Sequence, residues 1–139
     1  MKNDRASRIT RRASLFGPAL ALAAGALPPA SAQARAKPIQ LHVDLEVDPA
    51  KEKQMLANYG KLFRPAIRKQ PGFVEVKLLK LRQAMMGNPG GFNYRLLISF
   101  QTEEQRKAWV ANDEHQRVWP TIEQCLKGAK YQPWLYDVA

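Results

Sequence analysis

The sequence predicts an α+β fold, βαββαβ in order, with a four-stranded antiparallel sheet and two helices on one face. Three observations carry that prediction. Apolar and polar residues alternate along four separated stretches, 39–47, 73–82, 92–101 and 131–138, which is the period of a strand with one buried face. The stretches after 47 and after 101 repeat their apolar residues at helical spacing instead. The connection between the second and third strands (QAMMGNPGG) is glycine-rich and of some length; it could be a mobile lid, but it reads more simply as a hairpin connection, and the order is that of a split βαβ pair.

The first strand has Ile39, Leu41, Val43, Leu45 and Val47 on one face and Gln40, His42, Asp44 and Glu46 on the other. Asp48-Pro49 then opens a helix, Asp48 as its cap and Pro49 where a missing N–H costs nothing. Leu56, Tyr59, Leu62 or Phe63, Ala66 and Ile67 are its expected inward residues. Pro65 is expected to kink or split it near Phe63–Arg64, and Pro71-Gly72 to end it. In the second strand Val74, Val76 and Leu78 share a face, with Glu75 and Lys77 opposite.

The stretch from Tyr94 to Leu126 organises the rest. Tyr94, Leu96, Ile98 and Phe100 alternate onto one sheet face. Thr102-Glu103-Glu104-Gln105 fits a capping box, with Thr102 accepting from the first turn and Gln105 reaching back. His115, Val118, Trp119, Ile122 and Leu126 recur on one helical face, so a histidine and a tryptophan lie on the stripe facing the sheet. An interruption is expected at Ala111-Asn112-Asp113, with Asp113 recapping the helix, a bend at Pro120 and an end at Lys127-Gly128. In the last strand Pro133 implies an edge or a bulge.

Upstream, Lys2, Arg5, Arg8, Arg11 and Arg12 precede an apolar run, Leu15 to Leu27, and small residues at Ala32-Gln33-Ala34. This is the pattern of a signal peptide, residues 1–34, too short and too rich in Ala and Gly for a membrane span. Thr10-Arg11-Arg12-Ala13-Ser14-Leu15-Phe16 resembles a twin-arginine export signal, with Ser14 where a large apolar residue is usual. Residues 35–38 read as a disordered lead-in and 39–139 as the domain. A bacterial periplasmic or secreted location follows, with no membrane association after cleavage.

The net charge of +10 is shared with that leader. The remaining basic residues are scattered, without an Arg-rich helix or a basic-aromatic motif, so nucleic acid is not an expected partner. Cys125 is the only cysteine, which rules out an intrachain disulfide and reads as a small core residue. No zinc spacing and no phosphate loop occur, so neither a metal nor a cofactor is expected. His42, on the polar face with Asp44 and Glu46, is expected to face solvent or a second subunit. Phe73, Leu79, Leu81 and Leu97 leave apolar surface on the face the helices cannot cover, and a second copy is expected to cover it.

Three local patterns carry a family resemblance. They are the Pro71-Gly72-Phe73 junction, the passage Ile98-Ser99-Phe100-Gln101-Thr102-Glu103-Glu104, and the run Trp109…Asn112-Asp113-Glu114-His115. In this order they resemble the antibiotic biosynthesis monooxygenase domain over about Ile39 to Ala139. That resemblance implies a ferredoxin-like subunit that pairs into a dimeric α/β-barrel. The family includes cofactor-free oxygenases of phenols and quinols, haem-degrading oxygenases and domains of no known activity. The haem-degrading branch uses an Asn on the first strand, a Trp early in the second helix and a His later in it. Trp109 fits that Trp, but Trp119 stands near the His position and no Asn occurs between Ile39 and Val47. His115 matches instead a histidine of other members.

The resemblance therefore implies a cofactor-independent monooxygenase of a small aromatic or quinol, with His115 as the proton acceptor. Trp109, Trp119, Tyr59, Tyr94 and Asn112 are the expected substrate contacts. Each has a plainer role open to it: His115 bonded to a carbonyl, the indoles and phenols as core, Asn112 as a helix-break residue. A non-catalytic module holding a small molecule or haem is the competing expectation.

Overall fold

The computed structural model describes residues 37–139, so the expected signal peptide and the start of the lead-in lie outside the described residues. The elements run β1 (Ile39–Val47), a 3-10 turn (Pro49–Lys51), α1 (Glu52–Asn58), a π turn (Tyr59–Phe63), α2 (Arg64–Arg68), β2 (Phe73–Lys80), β3 (Tyr94–Phe100), α3 (Glu103–Ala111), α4 (Asp113–Glu123) and β4 (Leu126–Asp137). The sheet order is β2-β3-β1-β4, with every neighbouring pair antiparallel. This is the expected split βαβ topology, with β1 and β3 paired at the centre from Ile39↔Phe100 to Leu45↔Tyr94.

The inner face of the sheet is the one the sequence alternation selects. Val43, Leu45, Val47, Tyr94, Leu96, Ile98 and Phe100 are buried, and Met55, Phe63, Ile67, Trp109, Val118 and Ile122 of the helices close over them. Cys125 is buried in the same core, its thiol against the Thr121 carbonyl, and burial pushes that thiol's pKa up. Asp48 caps the first turn, its carboxylate accepting from Ala50 N–H at 3.0 Å.

Pro65 does break the regular helix, by way of a π turn. Proline has no N–H to return to the carbonyl four residues back. The chain widens just before it, and Arg64 N–H reaches back to the Tyr59 carbonyl. The extra residue in that turn shifts the helical phase. Of the alternatives Leu62 and Phe63, Phe63 is the buried one and Leu62 is 43% exposed; Leu56, expected inside, is 44% exposed and Met55 takes its place in the core.

Four boundary expectations are corrected. The ladder slips between Phe73 and Glu75, so Phe73 turns into the core and Val74 outward, the reverse of simple alternation. Asn112, not Asp113, caps α4. Thr102 caps α3 through Gln105 N–H at 3.2 Å, but Gln105 Oε1 has no hydrogen-bond partner among the described residues, so the reciprocal half of the box is not made. The second helix ends at Glu123, and Lys127-Gly128 and Leu126 belong to β4. Gly128 and Ala129 both take left-handed backbone, φ 56° and 54°, and the β1–β4 register slips beside them, between Leu45 and Val47. That bulge lets the strand begin directly after the helix. Pro133 then sits on an edge strand, as expected.

Candidate functional site

A cavity of about 220 Å³ lies between the inner sheet face and the helix pair. Its floor is Leu41 and Val43 of β1 and Leu96 and Ile98 of β3, and Tyr131 and Pro133 of β4 close one side. Phe63 enters from the π turn. Arg106, Trp109 and Val110 come from α3, and His115 and Trp119 from α4.

The geometry follows from the helix break. Asn112 leaves the helical region, with φ −73° and ψ 146°, and its side-chain oxygen accepts from Glu114 N–H at 2.7 Å. The axis restarts there, which sets His115 edge-on to Trp109, ring centroids 5.0 Å apart at 88°. One helical turn further, Trp119 lies nearly parallel to the imidazole, at 6.3 Å and 13°. Phe63 packs on both indoles, at 6.0 Å and 6.4 Å, and Tyr131 on Trp119 at 5.2 Å. The result is an apolar box with aromatic walls, the usual construction of a pocket for a flat ligand.

One neutral polar atom stands out in it. His115 Nδ1 is buried and has no hydrogen-bond partner among the described residues. The expectation that a backbone carbonyl binds this ring nitrogen is therefore not met. Burial holds the imidazole's pKa below its ordinary 6.5, which favours the neutral ring, with one nitrogen free to accept a proton. Leaving such an atom unpaired costs about 1–3 kcal/mol.

The other expected contacts divide. Trp109 and Trp119 line the cavity with His115. Tyr59, Tyr94 and Asn112 do not. Tyr59 is buried against Phe63, with the Arg64 guanidinium 5.7 Å from its ring centre. Tyr94 donates to Glu52 Oε2 at 2.7 Å, and burial together with that carboxylate pushes its phenol up to about 12. Asn112 is occupied by its cap and by Gln70, whose Oε1 accepts from its amide at 3.3 Å.

Phe63 and Arg106 are not among the expected contacts. Phe63 is expected inward, as the alternative to Leu62, but nothing in its spacing places it beside Trp109 and Trp119. Arg106 lies three residues before Trp109, on the same helix face, a signal that the salt-bridging look of Glu103…Arg106 masks. Its Nε donates to Glu103 Oε2 at 3.1 Å, and this bond holds the Glu103 carboxyl below its ordinary pKa.

The outer sheet face holds a larger, shallower hollow of about 360 Å³ beside Asp44, Leu79, Leu81 and Arg95. Its charges are satisfied: Arg95 grips Asp44 at 2.7 and 3.1 Å, and Trp134 Nε1 donates to the same carboxylate at 3.2 Å. His42 lies on this face against Tyr136, centroids 4.7 Å apart. The face also carries the ion pairs Lys77–Glu75 and Lys130–Glu46 and exposed apolar side chains, Leu79 46% and Trp134 47% exposed. Among the described residues no three His, Cys, Asp or Glu side chains gather to hold a metal. No helix among them is long and apolar enough to cross a membrane.

No family model and no curated protein matches the sequence. Solved structures do match the fold. A dimeric ferredoxin-like protein of unknown function from Jannaschia superposes with a TM-score of 0.63 at 14% identity, covering 73% of this chain and 99% of that one. A candidate antibiotic biosynthesis monooxygenase from Bordetella bronchiseptica gives 0.62 at 17% identity, covering 74% and 98%. SnoaB from Streptomyces nogalater, a cofactor-independent oxygenase, gives 0.60 at 14% identity, covering 74% and 94%. At these identities the likeness establishes architecture: the chain has the ferredoxin-like α+β fold on which the antibiotic biosynthesis monooxygenase structures are built.

Proposed function

We propose that this chain is an exported, homodimeric oxygenase of a small hydroxyaromatic or quinol, working without a bound cofactor. The observation that carries the reading is His115, whose ring lines an aromatic-walled cavity and whose buried Nδ1 has no hydrogen-bond partner among the described residues. A phenol held in that cavity against Trp109 and Trp119 brings its hydroxyl to the His115 imidazole. Proton transfer to His115 leaves an electron-rich phenolate. The phenolate passes one electron to dioxygen, and the two radicals join at a ring carbon. The resulting peroxide loses water to leave a carbonyl. One oxygen atom ends in the product, and the other leaves as water with two hydrogens from the substrate.

Homodimerisation is supported by the exposed Leu79, Leu81, Trp134 and Tyr136 on the outer face and by the dimeric state named for the Jannaschia structure. A monomeric mass by light scattering at micromolar concentration overturns it. Export, by a twin-arginine route to the periplasm or beyond, is supported by the Arg11-Arg12 leader. Retention of the full-length chain in the bacterial cytoplasm argues against it.

The test of activity is oxygen uptake with a panel of quinols by metal-free protein. We expect turnover that falls at least about a hundredfold in His115→Ala, the scale of a lost general base, with the circular dichroism spectrum unchanged. Turnover equal to wild type in that variant removes His115 from the mechanism. The competing reading, a binding module that makes no bond, is favoured by one observation: among the described residues Arg106, His115 and Tyr131 are the only ionisable side chains on the cavity wall, a thin catalytic set. Haem fits that second reading poorly, because about 220 Å³ is below the roughly 300–1,000 Å³ of pockets for drug-sized ligands. A Soret shift on adding haem would reverse that judgement.

A further inference from the structure

His115 faces a thermodynamic difficulty if it is to ionise a phenol alone. Its own basicity is reduced by burial, and an ordinary phenol holds its proton with a pKa of about 10. An apolar cavity makes the phenolate harder still to form. Something else in the site has to stabilise the anion.

The cavity wall holds one side chain that is charged at neutral pH, Arg106. Its guanidinium is anchored to Glu103 through Nε and one terminal nitrogen. The second terminal nitrogen makes no hydrogen bond among the described residues. Glu103 does not line the cavity, so of the two charges in the pair Arg106 carries the one on the wall. The cavity is small, and a ligand filling it stays within roughly 8 Å of that charge, a range over which Coulomb attraction in a dry site is strong.

We propose that Arg106 is a second catalytic residue, the cation that stabilises the phenolate while His115 takes the proton. The step is a plain proton transfer: the phenol O–H bond breaks, its electron pair stays on oxygen near Arg106, and an N–H bond forms at the unprotonated nitrogen of the His115 imidazole. Glu103 orients the guanidinium and weakens its pull. The proposal rests on the hydroxyaromatic reading above.

The probe is 4-nitrophenol, colourless as the phenol and yellow as the phenolate. Its ionisation is followed by absorbance across pH while bound to the full-length protein, and binding itself is followed by tryptophan quenching. In wild type the bound probe is expected to ionise at lower pH than the free probe, by about tenfold in its ionisation constant, the low end for a nearby opposite charge. Arg106→Met is expected to abolish that shift, and Arg106→Lys to keep most of it. Glu103→Gln is expected to enlarge it, and it also serves if Arg106→Met fails to fold. A bound probe whose ionisation is the same in wild type, Arg106→Met and Glu103→Gln overturns the role of Arg106 and leaves the hydroxyaromatic reading standing. Failure of any phenol to quench the wild-type protein overturns both.

Discussion

Asn112 is where the local structure of this chain is tied most directly to its site, and its replacement tests that link. Its side-chain oxygen holds Glu114 N–H at 2.7 Å, and its backbone leaves the helical region to restart the axis. Asn112→Ala removes the acceptor and leaves an N–H of the first turn of α4 unpaired. Loss of such a cap costs about 1 kcal/mol, within a range of roughly 0.5–2. The second bond, to Gln70 at 3.3 Å, is long and adds little. With a urea m-value of about 1–3 kcal/mol/M, the unfolding midpoint is expected to fall by roughly 0.3–1 M. Asn112→Asp keeps the acceptor. Its added negative charge is favoured by the helix N-terminus and opposed by the neighbouring Asp113 and Glu114. It is expected within about 0.5 kcal/mol of wild type, the range of an uneventful substitution. His115 sits in the turn this cap secures, so Asn112→Ala should also weaken phenol binding and Asn112→Asp should not. The assay is urea unfolding by tryptophan fluorescence at fixed protein concentration, with ligand quenching on the same samples. Equal stability of Asn112→Ala and wild type, or an Asp variant as damaged as the Ala variant, refutes the capping account. Weakened binding with unchanged stability returns Asn112 to the ligand.

Three further outcomes are expected. Gly72→Ala places a methyl 1.9 Å from Gln105 Oε1 at a φ of +79°; the left-handed backbone alone costs about 1–2 kcal/mol, and a Gln105→Ala background should recover only the steric remainder. An unaltered urea midpoint in the single variant contradicts this. His115 has a folded pKa below its unfolded 6.5, so in that window the unfolded chain binds more protons, and the contribution is full above 6.5 and is lost as pH falls through the window towards the folded value. His42 shifts the same way, so His115→Gln and His42→Gln must be compared, each expected to flatten part of the slope between pH 5 and 7. At the alkaline end the Tyr94 phenol is raised from 10 to about 12; the unfolded chain ionises first, so stability falls as pH rises from 10 to 12, and Tyr94→Phe should remove that component.

The strands were readable because alternation has a period of two and their inner faces are continuous: 39–47 is recovered to the residue. The helices were harder wherever a single residue changes the phase. The π turn that accommodates Pro65 adds one residue, and it decides between the two alternatives that spacing left open, turning Leu62 out and Phe63 in. The bulge at Val74 turns that residue outward, against the expected alternation of β2. The end of the second helix was misplaced because Lys127-Gly128 has the chemistry of a helix terminus, yet its left-handed glycine serves a strand bulge. At the site, the face shared by His115 and Trp119 was legible from their spacing of four. Tyr94 was misassigned because alternation gives its sheet face but not its partner. Glu52 comes from another element, and contacts between elements are invisible to local pattern.

The cavity itself argues for a ligand more strongly than any one side chain does. A core that only needed filling would place aliphatic side chains between β1, β3 and the helix pair, since voids lose dispersion contacts and cost stability. This chain places two indoles, an imidazole and a phenyl ring there, edge-on and parallel by turns, and leaves about 220 Å³ between them. It also carries the cost of a buried imidazole nitrogen without a partner among the described residues. Each of these features taken alone is destabilising. A flat molecule with one hydroxyl group offsets them together: its ring restores the missing contacts and its hydroxyl meets the imidazole, with Arg106 on the same wall. If so, a hydroxyaromatic ligand should raise the melting temperature by mass action, and the same ring without its hydroxyl should raise it less. Equal protection by benzene-like and phenol-like rings would mean that the nitrogen is incidental and the hollow merely greasy.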